Sequence, residues 1–303
     1  MRWPVPANGG PPAHHVRRVR TITCINECVP PEIHHFAYGW FNPMLAYALA
    51  FAGSLTGLVC TARARAAGSS ARRARWLIIG SLAIGGAGIW LMHFMAMLGF
   101  DVPATVVRYD PVATFASLGC AVGAVACGLF LVGTGRRGTG KLVAGGVFTG
   151  FGIVAMHYTG MYALHVGGQI SYDEGLVLAS ALIAVAAATV ALWFTVWVQG
   201  WRALLIASAI MGIAVCGMHY TAMAAMRIQL DSAPGPVAGL SPGVLVVPIF
   251  IVAAATLLGM FLSALQAMTQ EEFGDDGPSP RLVRMQNRVS RPRVTMEGAG
   301  PRP

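Results

Sequence analysis

Residues 203–226 read ALLIASAIMGIAVCGMHYTAMAAM. The stretch contains no charged residue, and it has the roughly 20 residues that an α-helix needs to cross the hydrocarbon core of a bilayer. It ends in the word MHYTAM at 218–223, which places His219 inside an apolar span. An ionisable side chain is costly in a membrane, so this word indicates a functional site as well as a membrane helix.

Six further apolar stretches of similar length occur in the chain. Overall, 55% of the residues are hydrophobic and only 11% are charged, whereas soluble domains carry about 25% charged residues. This composition excludes a soluble enzyme, a disordered chain and a coiled coil. We therefore predict an all-α, polytopic membrane bundle of seven transmembrane helices. The predicted spans are residues 42–62, 76–99, 111–133, 142–165, 175–199, 203–226 and 243–268.

The segments outside the spans divide the chain into three parts. Residues 1–40 are polar, rich in Pro and Arg and without the apolar core of a signal peptide, so we expect a disordered tail or an N-terminus extended past the true start. Residues 41–268 form the predicted membrane domain. Residues 269–303 are basic and Pro-rich, and we expect a disordered tail that is too short for a catalytic domain. The chain is accordingly predicted not to be an enzyme.

Basic residues in the short connections predict the orientation. Of the cations in those connections, only Arg108 and Arg227 fall in the second, fourth and sixth, and the remaining nine fall in the first, third and fifth. The nine are Arg63, Arg65, Arg72, Arg73, Arg75, Arg136, Arg137, Lys141 and Arg202. Lys and Arg concentrate in cytoplasmic loops, so the N-terminus should be outside and the C-terminus cytoplasmic. This topology explains the net charge of +9 without a nucleic-acid partner.

The MHYTAM word belongs to an internal repeat. MHFMAM stands at 92–97 and MHYTGM at 156–161, each late in an even-numbered span. The three histidines are 64 and then 62 residues apart, which is the period of a repeated helix pair. All three words should therefore lie at the same depth, near the outer membrane face.

This placement predicts a shared metal site. In each word the His and the last Met are four residues apart and share one helix face. Imidazole suits several transition metals, and thioether sulfur selects Cu(I), so copper is the favoured ion. The candidate ligands are Met92, His93, Met97, Met156, His157, Met161, Met218, His219 and Met223. The alternative is three separate packing histidines.

Three nearby side chains are candidates for supporting roles. Tyr158 and Tyr220 follow their histidines directly and point to another sector of the helix, which favours hydrogen bonding near the site over ligation. Cys216 precedes His219 by three residues, and it is either an additional soft ligand or, as we favour, a buried structural cysteine.

Small-residue pairs occur in three of the spans. They are Gly53-x-x-x-Gly57, Gly119-x-x-x-Gly123 and Gly146-x-x-x-Gly150. Such pairs let two membrane helices approach closely, so we predict that all three serve helix packing.

The three words, the seven spans and the lead-in HHFAYGWFNP at 34–43 resemble the MHYT family of bacterial integral membrane sensors over about residues 34–268. The resemblance implies an inner-membrane protein that binds copper near the outer face through motif Met, His and Tyr residues and senses a diatomic gas such as O2, CO or NO. Phe94 replaces Tyr in the first word. Many members are fused to output enzymes, whereas this chain resembles the stand-alone form, so its signal would pass to a separate cytoplasmic output protein.

We therefore predict a membrane metal-binding sensory module with the lipid bilayer as its environment. Two alternatives stay open. One is a membrane copper carrier or transporter, although transporters usually place ligands near the midplane. The other is a haem or copper subunit of a membrane oxidoreductase.

Overall fold

The protein is a bundle of long apolar helices. The computed structural model describes Ala37, residues 39–135, 138–231 and 235–245, and several positions between 247 and 262. Within these residues six helices are long and apolar enough to cross a membrane. They are α1 (Phe41–Ala66), α2 (Ser70–Met97), α3 (Pro111–Gly133), α4 (Thr139–Tyr162), α5 (Glu174–Trp197) and α6 (Trp201–Ala224). The chain is therefore a multi-pass membrane protein.

These six helices coincide with the first six predicted spans, with differences at their ends. The second begins at Ser70 and not at residue 76, because the Ser69 hydroxyl accepts a hydrogen bond from the Arg72 amide (3.3 Å) and caps the helix before the apolar run starts. The fourth and sixth end two or three residues early, where the chain turns into short strands.

The seventh predicted span lies mostly outside the described residues. The positions of it that are described, from residue 243 to residue 262, are helical. The predicted tails, residues 269–303 and nearly all of residues 1–40, also lie outside the described part of the chain.

The six helices form a closed ring. Each helix packs against the next in sequence, and α6 packs against α1 to close the circle. At one end of the ring lie the described residues of the connections 98–110, 163–173 and 225–241, which we call the lid. At the other end lie the described residues of the connections 67–69, 134–138 and 198–200, which we call the arginine end because most of the described basic side chains lie there.

The lid contains four short strands that the all-α prediction did not include. They are β1 (Arg108–Tyr109), β2 (Leu164–His165), β3 (Gly168–Tyr172) and β4 (Met226–Leu230). Strand β1 pairs antiparallel with β2, and β3 pairs antiparallel with β4. Tyr109 in the first connection also exchanges backbone hydrogen bonds of 2.8 and 2.9 Å with Leu240 in the third. The three connections are thus joined in a circle above the helix ends.

Three equivalent backbone hydrogen bonds fix the helix pairs to one another. The amides of Ala37, Asp110 and Asp173 donate to carbonyls that lie at the ends of α2, α4 and α6. The accepting carbonyls belong to Gly99, Ala163 and Ala225, at 2.9, 2.8 and 2.8 Å. Each of these three residues comes six positions after a motif histidine, so the three helix pairs have the same local structure.

Aspartates start two of the helices that leave the lid. The Asp110 carboxylate accepts from the Ala113 amide (2.7 Å), and the Asp173 carboxylate accepts from the Leu176 amide (3.2 Å). Both are N-caps, which satisfy amides in the first turn that have no partner within the helix. Asp173 also pairs with Arg227 (3.1 Å) on β4 and so ties α5 to the third lid connection.

The small-residue prediction holds for two of the three pairs. Gly53 lies against the backbone of Gly88 in α2, and Gly146 and Gly150 of α4 lie against Thr189 and Val185 of α5. The prediction was wrong for Gly119-x-x-x-Gly123. A side chain at either position would have no atom within 4 Å, because this face of α3 points away from the ring.

Helix α2 is the most enclosed of the six. In its most apolar window 83% of the residues are buried, against 22–50% in the other five helices. Residues Leu82–Leu91 of α2 are wound as a π-helix and lead directly into the first word. The Trp90 indole in this segment donates to the Ser117 hydroxyl of α3 (3.1 Å) and so links the π-helical segment to the neighbouring helix.

Candidate metal centre

The three motif histidines meet in the middle of the ring below the lid. Their ring centroids are 4.9 Å apart for His93 and His157, 5.0 Å for His93 and His219, and 5.3 Å for His157 and His219. The side chains are 1–2% exposed. Helices α2, α4 and α6 therefore present one imidazole each, at one depth, to a common centre.

The nitrogen atoms of this triad are close enough to share an ion. One ring nitrogen from each histidine lies within 4.8 Å of the others, and Nδ1 of His93 is 3.0 Å from Nδ1 of His219. Metal–imidazole bonds are about 2 Å long, so the donors of one ion lie within about 4 Å of each other. Small ring rotations would bring the three nitrogens into that range.

Two nitrogens of the triad are buried without a partner in the described part of the chain. Nε2 of His93 and Nε2 of His157 are buried, and neither has a hydrogen-bond partner among the residues that the structure describes. Buried polar atoms are nearly always hydrogen-bonded, so an orphan pair in one cluster needs an explanation. A metal ion bound by the imidazoles would supply it.

Six methionines flank the motif histidines within the same three words. The structure buries all six that were predicted as ligands, at 1–3% exposure. Those at i+4 lie one helical turn closer to the lid on the histidine face. Burial does not separate a sulfur ligand from a packing methionine, so thioether ligation stays a prediction. The six are Met92, Met97, Met156, Met161, Met218 and Met223.

The tyrosines of the words point toward the outside of the triad. The Tyr158 hydroxyl is 3.3 Å from the Ser180 hydroxyl of α5, and its ring packs edge-on against Tyr172 of β3, with centroids 5.4 Å apart. Burial, and secondly the neighbouring Tyr158, raise the pKa of Tyr172 to about 12, so this lid phenol stays neutral. Tyr220 stacks edge-on against His219 and is half-buried, as is Cys216.

Phe94, which replaces tyrosine in the first word, has a packing role. It lies between Trp90 and Tyr109, with ring centroids 4.9 and 6.4 Å away. The Tyr109 hydroxyl donates to the Met97 carbonyl (3.3 Å), which connects the lid to the end of α2. Burial raises the pKa of Tyr109. Tyr109 therefore joins the lid to the end of α2 as a neutral, buried side chain.

An apolar layer lies beneath the triad. Ile89, Ile153 and Val215 each precede a motif histidine by four residues, and all three line a cavity of about 40 Å³ in the centre of the ring. The cavity wall is mostly aliphatic, and its hydroxyls are those of Ser54, Thr149 and Thr195. In the described residues, the triad is the one group of three or more His, Cys, Asp or Glu side chains close enough to share an ion.

Gly160 is a site residue that the sequence reasoning missed. A Cβ atom at this position in α4 would lie 2.6 Å from Nε2 of His93. The missing side chain lets the His93 ring approach α4. The signal was present in the repeat, because the other two words carry alanine there, Ala96 and Ala222.

The repeat is matched by one family model. The model, described as MHYT, bacterial signalling protein N terminal repeat, matches residues 86–145, 150–208 and 212–273. Each match begins seven residues before a motif histidine, and the third extends through the seventh predicted span. The matches together cover more than half of the chain.

Curated relatives are signalling proteins. The bifunctional diguanylate cyclase/cyclic di-GMP phosphodiesterase MucR of Pseudomonas aeruginosa is 40% identical over 205 residues, which are 64% of this chain and 30% of MucR. The cyclic di-GMP phosphodiesterase NbdA of the same organism is 36% identical over 200 residues, 63% of this chain and 25% of NbdA. A signalling protein of Caulobacter vibrioides is 33% identical over 217 residues, which are 71% of this chain and 26% of that protein.

The chain thus spans less than a third of the length of these relatives. No solved structure matches it. The threefold match of the repeat over most of the membrane domain decides the assignment. The chain belongs to the MHYT family of bacterial signalling proteins.

Proposed function

We propose that this membrane domain is a sensory module that holds one transition-metal ion on His93, His157 and His219. The observation that carries the proposal is the buried triad with two nitrogens unpartnered among the described residues. Three neutral imidazoles and nearby thioethers suit a soft ion, which favours copper. The protein would supply a closed, largely apolar site that limits the access of water.

The stimulus that we propose is a diatomic gas, O2, CO or NO. This proposal rests on the family resemblance and on the burial of the triad, whose side chains are 1–2% exposed. A stimulus shifts an equilibrium only if it binds two arrangements of the helices with different affinity. The bound ion would provide that difference, and the helices would carry it to an output protein on the cytoplasmic side.

We further propose that the lid faces the outside of the inner membrane. The support is the distribution of basic side chains, which cluster at the end of the ring opposite the lid. The metal site then lies near the outer face. A transport role is less well supported, because the layer beneath the triad is apolar and, within the described residues, no second ligand cluster follows it.

Metal analysis of the purified protein tests the proposal. We expect one copper ion per chain in the wild-type protein and none in the His93→Ala/His157→Ala/His219→Ala variant, measured by mass spectrometry. Circular dichroism of both proteins should show the same helix content. Equal metal content in the two proteins would contradict the site. If the wild type binds copper, at least one of the three gases should give a signal that the triple variant lacks. Infrared absorption of bound CO or NO, or the visible bands that appear when O2 oxidises Cu(I), provides the measurement.

A further inference from the structure

A second cavity lies at the arginine end of the ring. It has a volume of about 210 Å³ and is lined by the ends of α1, α3 and α5 and by the start of α2. Its polar wall includes Arg65, Arg73 and Thr195. The triad lies where the even-numbered helices meet, and this cavity lies where the odd-numbered helices meet.

The two arginines of this cavity differ in their partners. Arg65 donates to the carbonyls of Thr195 and Val198, the latter at 2.8 Å, and so joins α1 to the last turn of α5. Arg73 has a buried Nε that finds no hydrogen-bond partner among the described residues. Arg73 as a whole is only partly buried, so the rest of its guanidinium is open to an anionic or carbonyl partner that enters the cavity.

The described part of the chain has no acidic side chain at this end. Its five acidic residues all lie in or next to the lid, on the far side of the ring. They are Asp101, Asp110, Asp173, Glu174 and Asp231. A carboxylate partner for Arg73 must therefore come from elsewhere in the chain or from another molecule.

The sequence contains such a partner directly after the seventh predicted span. Residues 271–276 read EEFGDD, with four carboxylates and no cation. The span starts at the lid, because Leu240 pairs with Tyr109 and helical residues follow from 242. The helix predicted over 243–268 would extend about 39 Å at 1.5 Å per residue, which would bring residue 268 to the arginine end. Eight further residues reach at most about 27 Å, so the acidic residues would be within reach of the cavity.

We propose that the acidic segment 271–276 docks into the arginine-end cavity, with a carboxylate accepting hydrogen bonds from Arg73. Hydrogen bonds between a guanidinium and a carboxylate are short and about twice as strong as neutral ones. The docked segment fixes the chain that leaves the bundle to the ends of α1, α3 and α5. This inference goes beyond the proposed function and does not depend on a metal ion at the triad.

Spin-label mobility in the full chain tests the docking. A nitroxide is attached through Gly274→Cys in a chain whose six native cysteines are replaced, reconstituted in phosphatidylcholine nanodiscs. We expect an immobilised label in this reference chain and several-fold faster motion after Arg73→Gln. Arg75→Gln is the matched control, because Arg75 is exposed on the same helix and does not line the cavity. It should leave the label immobilised.

A second variant changes the acidic segment and leaves the helices of the bundle unchanged. Replacing Glu271, Glu272, Asp275 and Asp276 by their amides should free the label as Arg73→Gln does. Raising the salt from 0.15 to 1 M shortens the Debye length from about 8 to about 3 Å and should partly free it in the reference chain. Equal label motion in the reference, Arg73→Gln and amide variants would overturn the proposal. The same result together with a loss of co-purified phosphatidylglycerol in Arg73→Gln would identify the cavity as a lipid-phosphate site.

Discussion

Because position 160 is a glycine, the His93 ring can lie close to the backbone of α4. A methyl group there would lie 2.6 Å from Nε2 of His93, so the ring would have to turn away from the other two imidazoles. We expect Gly160→Ala to lower copper affinity by about 10- to 100-fold, as changes beside a metal ligand typically do. Competition with a chelator of known copper affinity measures this loss.

Gly217 is the matched control for that substitution. It lies within α6, and an added methyl group would meet nothing within 4 Å. Gly217→Ala should keep copper affinity unchanged and shift stability by no more than about 1 kcal/mol, since alanine is the better helix former. An equal loss of affinity in both variants would mean that the Gly160 contact does not position His93.

Substitutions of Tyr158 and His157 should differ in their effect on metal binding, although the two residues are adjacent. The Tyr158 hydroxyl lies 3.3 Å from Ser180 of α5, while His157 lies within the triad. We expect His157→Ala to abolish metal binding and Tyr158→Phe to retain it at a cost in stability of about 1 kcal/mol. Metal content and thermal unfolding of the two variants provide the measurement, and equal loss of metal would make Tyr158 a ligand.

At the scale of the helices, the glycine pairs of α3 and α4 should respond differently to one methyl group. A Cβ at Gly146 would lie 2.7 Å from the Cα atom of Thr189 in α5, and a backbone atom cannot move aside. Gly146→Ala should therefore destabilise the α4–α5 contact by about 1–3 kcal/mol. Gly123→Ala on the outward face of α3 should not.

Thermal unfolding in nanodiscs compares the two variants under the same lipid conditions. A lower melting temperature for Gly146→Ala alone is the expected outcome. A similar decrease for Gly123→Ala would show that the outward face of α3 is also packed, for example against a second molecule.

The helices were predictable from sequence and the lid was not. Apolar runs of membrane length gave six helices to within a few residues, except that the capped, arginine-rich start of α2 precedes its apolar run. The lid strands are two to five residues long and pair between connections far apart in sequence. Such short strands have no reliable pattern of their own, since their pairing comes from the helix ends that hold them.

The site was predictable only where the repeat showed it. Three words at equal depth predicted that His93, His157 and His219 share a centre, and the structure brings them together, although metal ligation stays a prediction. The apolar layer of Ile89, Ile153 and Val215 could not be predicted. The repeat marks Gly160 as different from its two counterparts, but it does not show the contact of Gly160 with His93. Both depend on how the helices rotate against each other, which apolar periodicity does not define in a span that is hydrophobic all round.

At the scale of the whole molecule, the orientation in the membrane makes a direct prediction. Gln169 is exposed on β3 of the lid, and Ser70 is exposed at the arginine end. In a chain without its native cysteines, Gln169→Cys should react with an impermeant maleimide from the outside of intact cells, and Ser70→Cys only after the membrane is opened. The reverse pattern would place the lid in the cytoplasm.

The three equivalent amide–carbonyl bonds, from Ala37, Asp110 and Asp173, have a consequence for how such a protein can change. Three separate hairpins with this geometry could assemble as a homotrimer, in which every substitution occurs three times at once. When the three hairpins are joined in one chain, a substitution can occur in one copy and not in the other two. In this chain only the first copy has Phe94 beside its histidine and a π-helical segment before it, and only the second copy has Gly160. Tandem duplication thus permits an asymmetric centre inside a symmetric scaffold.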